Sequence, residues 1–471
     1  MHGLDAVVLK STTAVARDRS GMLALIGALT WIGIGAAVTF LDTNSALQTL
    51  VLSWMTILFS AWVFLRHGGP YITAAGVWSI CSGLFVGFAG VYWQSMNPHD
   101  PAMVRAVGLA FLAHAFMYYG FWRGRQFHVP QTTGETNPDA LRGLFPVGFL
   151  LLAAGTGLSI LGIAEVIAGP AAFTGIILLV IAVVTGGRRR MKVIPLLFTG
   201  TLALVYTRFV FSGFGRIVLA ALAFSIVMVL AMKYRTYWLK FGTLIVLPPA
   251  LVVLIEQREQ FGLVQYGASL DGLGSIVEPL RQFSVMLAQP VYEYAFGSTF
   301  WAAAVTHVPS ALWEGKPDGF GLEIGWIYNP SLASIGGTLA ALSHGEWIYN
   351  FGPLGLILMA VLIGLAIRFL DVSFLKRVAS GINVRRDALV LTALVIAGGG
   401  MTDLFWGGTH TFMGRAGTRL LILLILFALW GWLRSAQPRK TQSAPPAAGS
   451  RTRHAHGVVG ANRRDSQLDR T

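Results

Sequence analysis

Apolar runs of roughly 15–23 residues recur along most of this chain. A helix needs about 20 such residues to cross the hydrocarbon core of a bilayer, and it satisfies its own backbone hydrogen bonds, which lipid cannot do. The pattern specifies an all-α, polytopic integral membrane protein with about twelve spans. They are expected at Gly21–Leu41, Ala46–Leu65, Tyr71–Trp93, Ala102–Trp122, Leu144–Ala164, Ala171–Gly187, Val193–Phe211, Ile217–Met232, Phe241–Ile255, Gly352–Leu370, Ala388–Gly407 and Gly417–Leu433. The composition agrees: 55% of the 471 residues are hydrophobic and only 12% charged, about half the charged share of a soluble domain. The single cysteine, Cys81, lies inside one run, which leaves no intrachain disulfide and no cysteine-based metal site. No small-residue cleavage site follows the first run, so it reads as a retained helix rather than a signal peptide.

A net charge of +14 invites a nucleic-acid partner, but the distribution of the charge argues against one. With the N-terminus placed inside, 27 of the 35 Lys and Arg fall in alternate, inner segments, as the positive-inside rule requires. A miscounted helix would break that alternation. The expected order is a cytoplasmic N-terminus (1–20), nine helices (21–255), a large outer loop (256–351), three helices (352–433) and a basic, disordered cytoplasmic tail (434–471) rich in Pro, Ala, Ser and Arg. The outer loop is too long for a simple connection. Within it Ile276, Leu280, Phe283 and Leu287 form one helical face, with Pro279 near its start and Pro290 at its end. Short helices lying at the outer interface are expected there. Pro248-Pro249 is a kink signal in the ninth span.

Eight cations remain on the outer side, where topology does not call for them: Arg105, Arg208, Arg216, Arg258, Arg281, Lys316, Arg415 and Arg419. Arginine suits bidentate recognition of phosphate, and Arg415 and Arg419, four apart, share a helix face. The bland reading of any one of them is a side chain snorkelling to the interface, and Arg105 fits that reading best. Among the outward carboxylates (Asp42, Glu293, Glu314, Asp318, Glu323, Glu346, Asp403), Glu346 stands apart at the edge of the tenth span among apolar neighbours, where its pKa would rise. It reads either as a general base or as a helix cap. His99, His307, His344 and His410 also face out and exchange protons near neutral pH. His344 and His410 lie near Glu346 and Arg415 in sequence. His114, inside the fourth span, reads as a hydrogen bond to a neighbouring helix.

Two segments resemble a known family. Val308-Pro309-Ser310-Ala311-Leu312-Trp313-Glu314-Gly315-Lys316-Pro317 is similar to the I-P-R-x-x-W-x-x-K-P stretch of the O-antigen polymerase (Wzy-type) family of oligosaccharide repeat-unit polymerases. Gly345-Glu346-Trp347-Ile348-Tyr349-Asn350-Phe351-Gly352-Pro353-Leu354-Gly355 resembles that family's G-E-x-Y-x-N-F-G-x-x-G stretch. Ser212-Gly213-Phe214-Gly215-Arg216 resembles its S-G-S-R-G turn. Ser310 stands where the family often has Arg, and Ile217 rather than Gly follows Arg216. The resemblance implies a metal-independent glycosyltransferase without a cofactor. Such an enzyme joins polyprenyl-pyrophosphate-linked oligosaccharides on the outer face of a bacterial cytoplasmic membrane, beside a flippase and a chain-length regulator. On that reading Glu346 and Arg216 are catalytic, and Arg208, Arg281, Lys316, His344, His410, Arg415 and Arg419 contact pyrophosphate or sugar. The near alternative is an O-antigen ligase, which uses the same kind of donor and a lipid acceptor. The alternative of another class is a lipid-linked oligosaccharide flippase or other transporter.

Overall fold

The computed structural model describes residues 26–41, 44–97, 100–123, 134–186, 193–211, 216–246, 250, 274–289 and 293–435. Asp42, His99, the 212–215 turn, Pro248-Pro249, Arg258, the N-terminal segment and the tail beyond Ser435 lie outside them. The described residues contain helices and no strand. The helices are α1 (Ile26–Phe40), α2 (Ser45–Arg66), α3 (Ala74–Met96), α4 (Pro101–Trp122), α5 (Leu144–Ile160), α6 (Glu165–Gly186), α7 (Val193–Phe209), α8 (Arg216–Tyr234), α9 (237–246), α10 (Gly274–Ala288), α11 (Ser298–Ala304), α12 (Phe320–Tyr328), α13 (Leu342–Phe351), α14 (Pro353–Ser380), α15 (Arg385–Gly399), α16 (Met401–Phe412) and α17 (Thr418–Ser435). Eight stretches are long and apolar enough to cross a membrane, and α1 and α7 are apolar but shorter. The chain is a polytopic, all-helical membrane protein. It divides after Phe427, and of the C-terminal unit only the end of α17 is described.

Small residues set the closest helix contacts. α5 and α6 meet at Gly148, Gly155 and Gly175, and a Cβ at Gly155 would lie 2.6 Å from the Ala168 carbonyl. In lipid, where apolar burial gives no net drive, such close approach supplies the packing energy. The apolar face of α10 behaves differently from expectation. Ile276, Leu280 and Phe283 are buried, because α10 packs on α4 and α13 instead of presenting that face to the interface. Pro279 lies inside the helix and does not mark its start.

The last candidate span, Met401–Trp430, holds a reversal. Gly408 has φ 79° and ψ −168°, a conformation open to glycine and costly for other residues. The two arms run back along each other. A Cβ on Gly400 would lie 2.7 Å from the Ala416 Cβ. Asp403 faces Arg415 and Arg419, and Arg386 lies 6.0 Å from the Phe427 ring centre. The helical hairpin thus pivots on Gly408.

A second device holds the connection between α2 and α3. Lys240 Nζ, fully buried, donates to the carbonyls of Phe64 and His67 at 2.7 Å each, where α2 ends. Asp371 accepts from the Ala74 and Ala75 amides at 2.7 and 3.3 Å, where α3 begins, and pairs with His67 Nε2 at 2.9 Å. Each charge therefore sits at the helix end whose dipole it complements. Removing the Asp371 carboxyl would leave two buried amides unanswered and break the pair with His67. Asp371→Ala is expected to lower stability by about 3–5 kcal/mol, read from thermal unfolding in detergent. Asp371→Asn, which still accepts from the amides, should lose less. An unchanged melt for Asp371→Ala would refute the staple.

Candidate functional site

The two segments singled out in the sequence meet at the tip of the Gly408 hairpin. Glu346, on α13 and fully buried, accepts the Thr409 amide at 2.6 Å through Oε2 and the Thr299 hydroxyl at 3.3 Å through Oε1. Thr409 is the first residue of the returning arm, so its amide is one of the donors a helix leaves unpaired. The Glu346 carboxylate caps that arm from another helix. A Cβ at Gly408 would come within 2.5 Å of Oε2, so this glycine is required both for the turn and for the close approach. One turn further along α13, Asn350 Nδ2 donates to Thr299 Oγ1 (2.7 Å) and its Oδ1 accepts the Gly297 amide (2.8 Å) at the start of α11. Ser343 Oγ donates to the Leu404 carbonyl. Serine, glutamate and asparagine of α13 thereby lock α11 to the hairpin.

The second segment is fastened to the same hairpin from the other side. Lys316 folds back and donates to the carbonyls of Thr306 (2.7 Å) and Val308 (2.9 Å). Thr306 Oγ1 then lies 3.3 Å from His410 Nε2, and His307 Nε2 lies 3.1 Å from Thr418 Oγ1. Two reciprocal His–Thr contacts thus join the 306–307 loop to α16 and α17. Gly319 allows the approach, since a Cβ there would lie 2.5 Å from the His410 ring.

Behind this face lies the strongest charge feature. Asp403, fully buried, pairs with Arg415 at 3.0 Å and Arg419 at 3.6 Å. Arg419 is 2% exposed, and its guanidinium carbon stands 3.8 Å from the Phe173 ring centre. Its Nε and Nη1 meet no acceptor within hydrogen-bond distance. Two guanidinium groups share one carboxylate, which leaves one positive charge in excess. The side chain of Arg415 is 29% exposed, so it is the guanidinium that a solute reaches.

Of the residues expected at one site, Glu346, Lys316 and His410 meet around the hairpin tip, whereas Arg415 and Arg419 gather on Asp403 between its arms. His344 is placed differently. It is buried between the rings of Trp78, Phe283 and Phe405, where burial lowers its pKa to about 3. This corrects its reading as an outward, proton-exchanging group. Arg281 is held on its own helix by Glu278, through hydrogen bonds of 2.7 and 2.6 Å. Arg208 is exposed near the end of α7, with its guanidinium 5.7 Å from the neighbouring Phe209 ring. Arg216 opens α8, directly after residues outside the described set. His114 lies 3.1 Å from Ser79 on the neighbouring α3, as a polar residue inside a span requires. The sequence reading missed Thr299, Thr306 and Asn350 as the groups that tie the site together. Asn350 stands within the family-like segment and carried a signal; the threonines carried none.

No family model matches the chain, no curated protein matches its sequence, and no solved structure matches its fold.

On α13, outside the eight candidate spans, burial pushes the Glu346 carboxyl up to about 7, against hydrogen bonds from Thr409, Thr299 and His410 that pull it down. Its folded value lies above the ordinary 4.5. The stability it contributes is therefore complete below that value and lost as the pH rises through about 7. Thermal melts of wild type and Glu346→Gln across about pH 5–8 test this. The wild-type advantage is expected to shrink with rising pH, and a difference that grows with pH would overturn the assignment.

Proposed function

We propose that this protein is a membrane glycosyltransferase that joins polyprenyl-pyrophosphate-linked oligosaccharide repeat units into a cell-surface polysaccharide, on the outer face of a bacterial cytoplasmic membrane. The observation that carries the reading is the excess cation of the Arg415–Asp403–Arg419 group, set against the two segments that resemble the polymerase family. In the reaction an acceptor hydroxyl oxygen bonds to the anomeric carbon while the bond from that carbon to the pyrophosphate oxygen breaks. The leaving group departs as an anion and needs charge stabilisation more than a proton. Arg415, backed by Arg419, answers that charge. The hydroxyl proton goes to a base, and burial of Glu346 moves this role to His307, which is exposed, or His410, which is half-buried. Glu346 then acts by positioning: it fixes the start of the helix that carries His410 and Arg415. Arg216 remains a second donor contact on the family-like turn.

Polymer formation from lipid-linked repeat units by the purified protein tests the proposal. Arg415→Ala is expected to lose roughly 10²–10³ in turnover, with only partial rescue by Arg415→Lys because the planar fork is lost. Arg216→Ala should lose a similar factor. A well-folded Arg415→Ala protein that makes polymer at the wild-type rate would remove Arg415 from the site. Transfer to a lipid acceptor without chain growth would instead identify a ligase. A transporter is the reading favoured by one feature, the broken hairpin with charge buried at its turn. It would move lipid-linked oligosaccharide across vesicles and form no polymer.

The twelve-span arrangement with both termini inside belongs to the same proposal. A cysteine replacing Asp318, exposed in the outer loop, should react with an impermeant thiol reagent on intact cells, whereas one replacing the exposed Ser380 should not. The native Cys81 is buried and contributes no background. Labelling at position 380 would reverse the orientation.

A further inference from the structure

A cavity of about 390 Å³ opens on the face of α13 away from Glu346, between α4, α10, α12 and α14. Leu109, Met286, Tyr294, Ile348, Tyr349 and Leu356 line it. Two of its three tyrosine hydroxyls are already engaged. The Tyr328 hydroxyl donates to the Gln289 carbonyl at 2.9 Å, and the Tyr349 hydroxyl bonds to Glu323. Apart from the Tyr294 hydroxyl, what remains on the wall is aliphatic carbon and aromatic ring, which suits hydrocarbon and gives a sugar too few hydrogen bonds. The cavity also adjoins the outward-facing side of α14, where Leu354 and Ile357 are 59% and 58% exposed.

One charged group stands at its edge. α4 and α14 run side by side in the same direction, since Leu109 and Leu356 share the cavity and Trp122 donates to the Gly364 carbonyl further along. Arg105 precedes Leu109 by four residues. It therefore lies on the same face of α4, about 6 Å nearer the helix start and level with the Gly352–Pro353 turn. It is exposed, with no hydrogen bond or ion pair among the described residues.

We propose that this groove is a binding site for an anionic membrane lipid, one hydrocarbon chain lying between Leu109, Leu356 and Ile348 and the phosphate meeting Arg105. The shared chemistry, a phosphate carrying a long chain, has two sources: a diacyl phospholipid or a polyprenyl phosphate. The inference does not rest on glycosyl transfer and is tested without an activity assay.

The full-length protein, reconstituted in nanodiscs, is photolabelled with chain-diazirine forms of phosphatidylglycerol, phosphatidylcholine and polyprenyl phosphate, and the labelled peptides are mapped by mass spectrometry. Labels from the anionic probes are expected on the Met286–Leu287 and Ile348–Tyr349 peptides, in roughly fivefold excess over phosphatidylcholine, the scale of one arginine at an anionic surface. Arg105→Gln should abolish that excess while leaving the melting temperature unchanged. Leu109→Trp, or Leu356→Trp if the first fails to fold, should fill the groove and remove the label from both anionic probes. Stronger groove labelling by polyprenyl phosphate assigns the site to the carrier lipid, and stronger labelling by phosphatidylglycerol assigns it to the bulk membrane. Label confined to Leu354 and Ile357, or groove labelling equal for all three probes and indifferent to Arg105→Gln, overturns the proposal.

Discussion

Inside a bilayer, a helix that ends away from water must have its last amides and carbonyls answered by protein. This protein breaks or ends helices within its interior at several points, and it answers three of them with an ionisable side chain from a distant part of the chain. Asp371 of α14 caps the start of α3, and Lys240 of α9 caps the end of α2. Glu346 of α13 caps the arm that begins at Thr409. Each charge lies where the helix dipole favours it, and each spans more than 60 residues of sequence. The caps are therefore tertiary contacts as much as helix ends, and losing one would free two elements at once.

The same logic organises the site. The hairpin tip gains its amides' partner from α13, α13 holds α11 through Asn350, and α11 leads into the loop that Lys316 buckles. The loop then returns to the hairpin through the His–Thr contacts at Thr306 and His307. The circuit closes on itself, so the positions of His410 and Arg415 are set by residues from three segments. Such a frame can hold cations at a fixed spacing without a water shell, the condition under which charge stabilisation needs no rearrangement.

What was legible in the sequence follows from what each feature depends on. Span-length apolar helices such as α2, α4 and α14 were legible because length and apolarity are local properties. The prominence of Glu346 was legible too, since an acid among Trp and Phe at a span boundary is anomalous wherever it folds. The pairing of Asp403 with Arg415 and Arg419 was not. It joins residues 12 and 16 apart, beyond any single helix face, and exists only because Gly408 turns the chain back. The Gly407-Gly408 pair was visible, but it read as the end of a span rather than as a turn buried against a carboxylate. Lys316 read as a contact to pyrophosphate or sugar. Its ammonium instead meets carbonyls eight and ten residues earlier, a loop closure with no periodic trace in sequence.

The Arg419 side chain shows why this arrangement points to function more than to stability. A buried guanidinium is costly to desolvate, and a buried ion pair seldom exceeds in stability the apolar residues that would replace it. Here the cost is compounded, because one carboxylate serves two arginines and the Arg419 Nε and Nη1 meet no acceptor within hydrogen-bond distance. A leucine at position 419 would pack against Phe173 without that penalty. Arg415, the more exposed of the pair, would still have Asp403 to itself and be neutralised by it. The effect of Arg419 is thus to share Asp403 and leave Arg415, the more exposed of the two, less fully compensated. That is an expensive way to hold a helix in place and a direct way to keep a positive charge available to an anion.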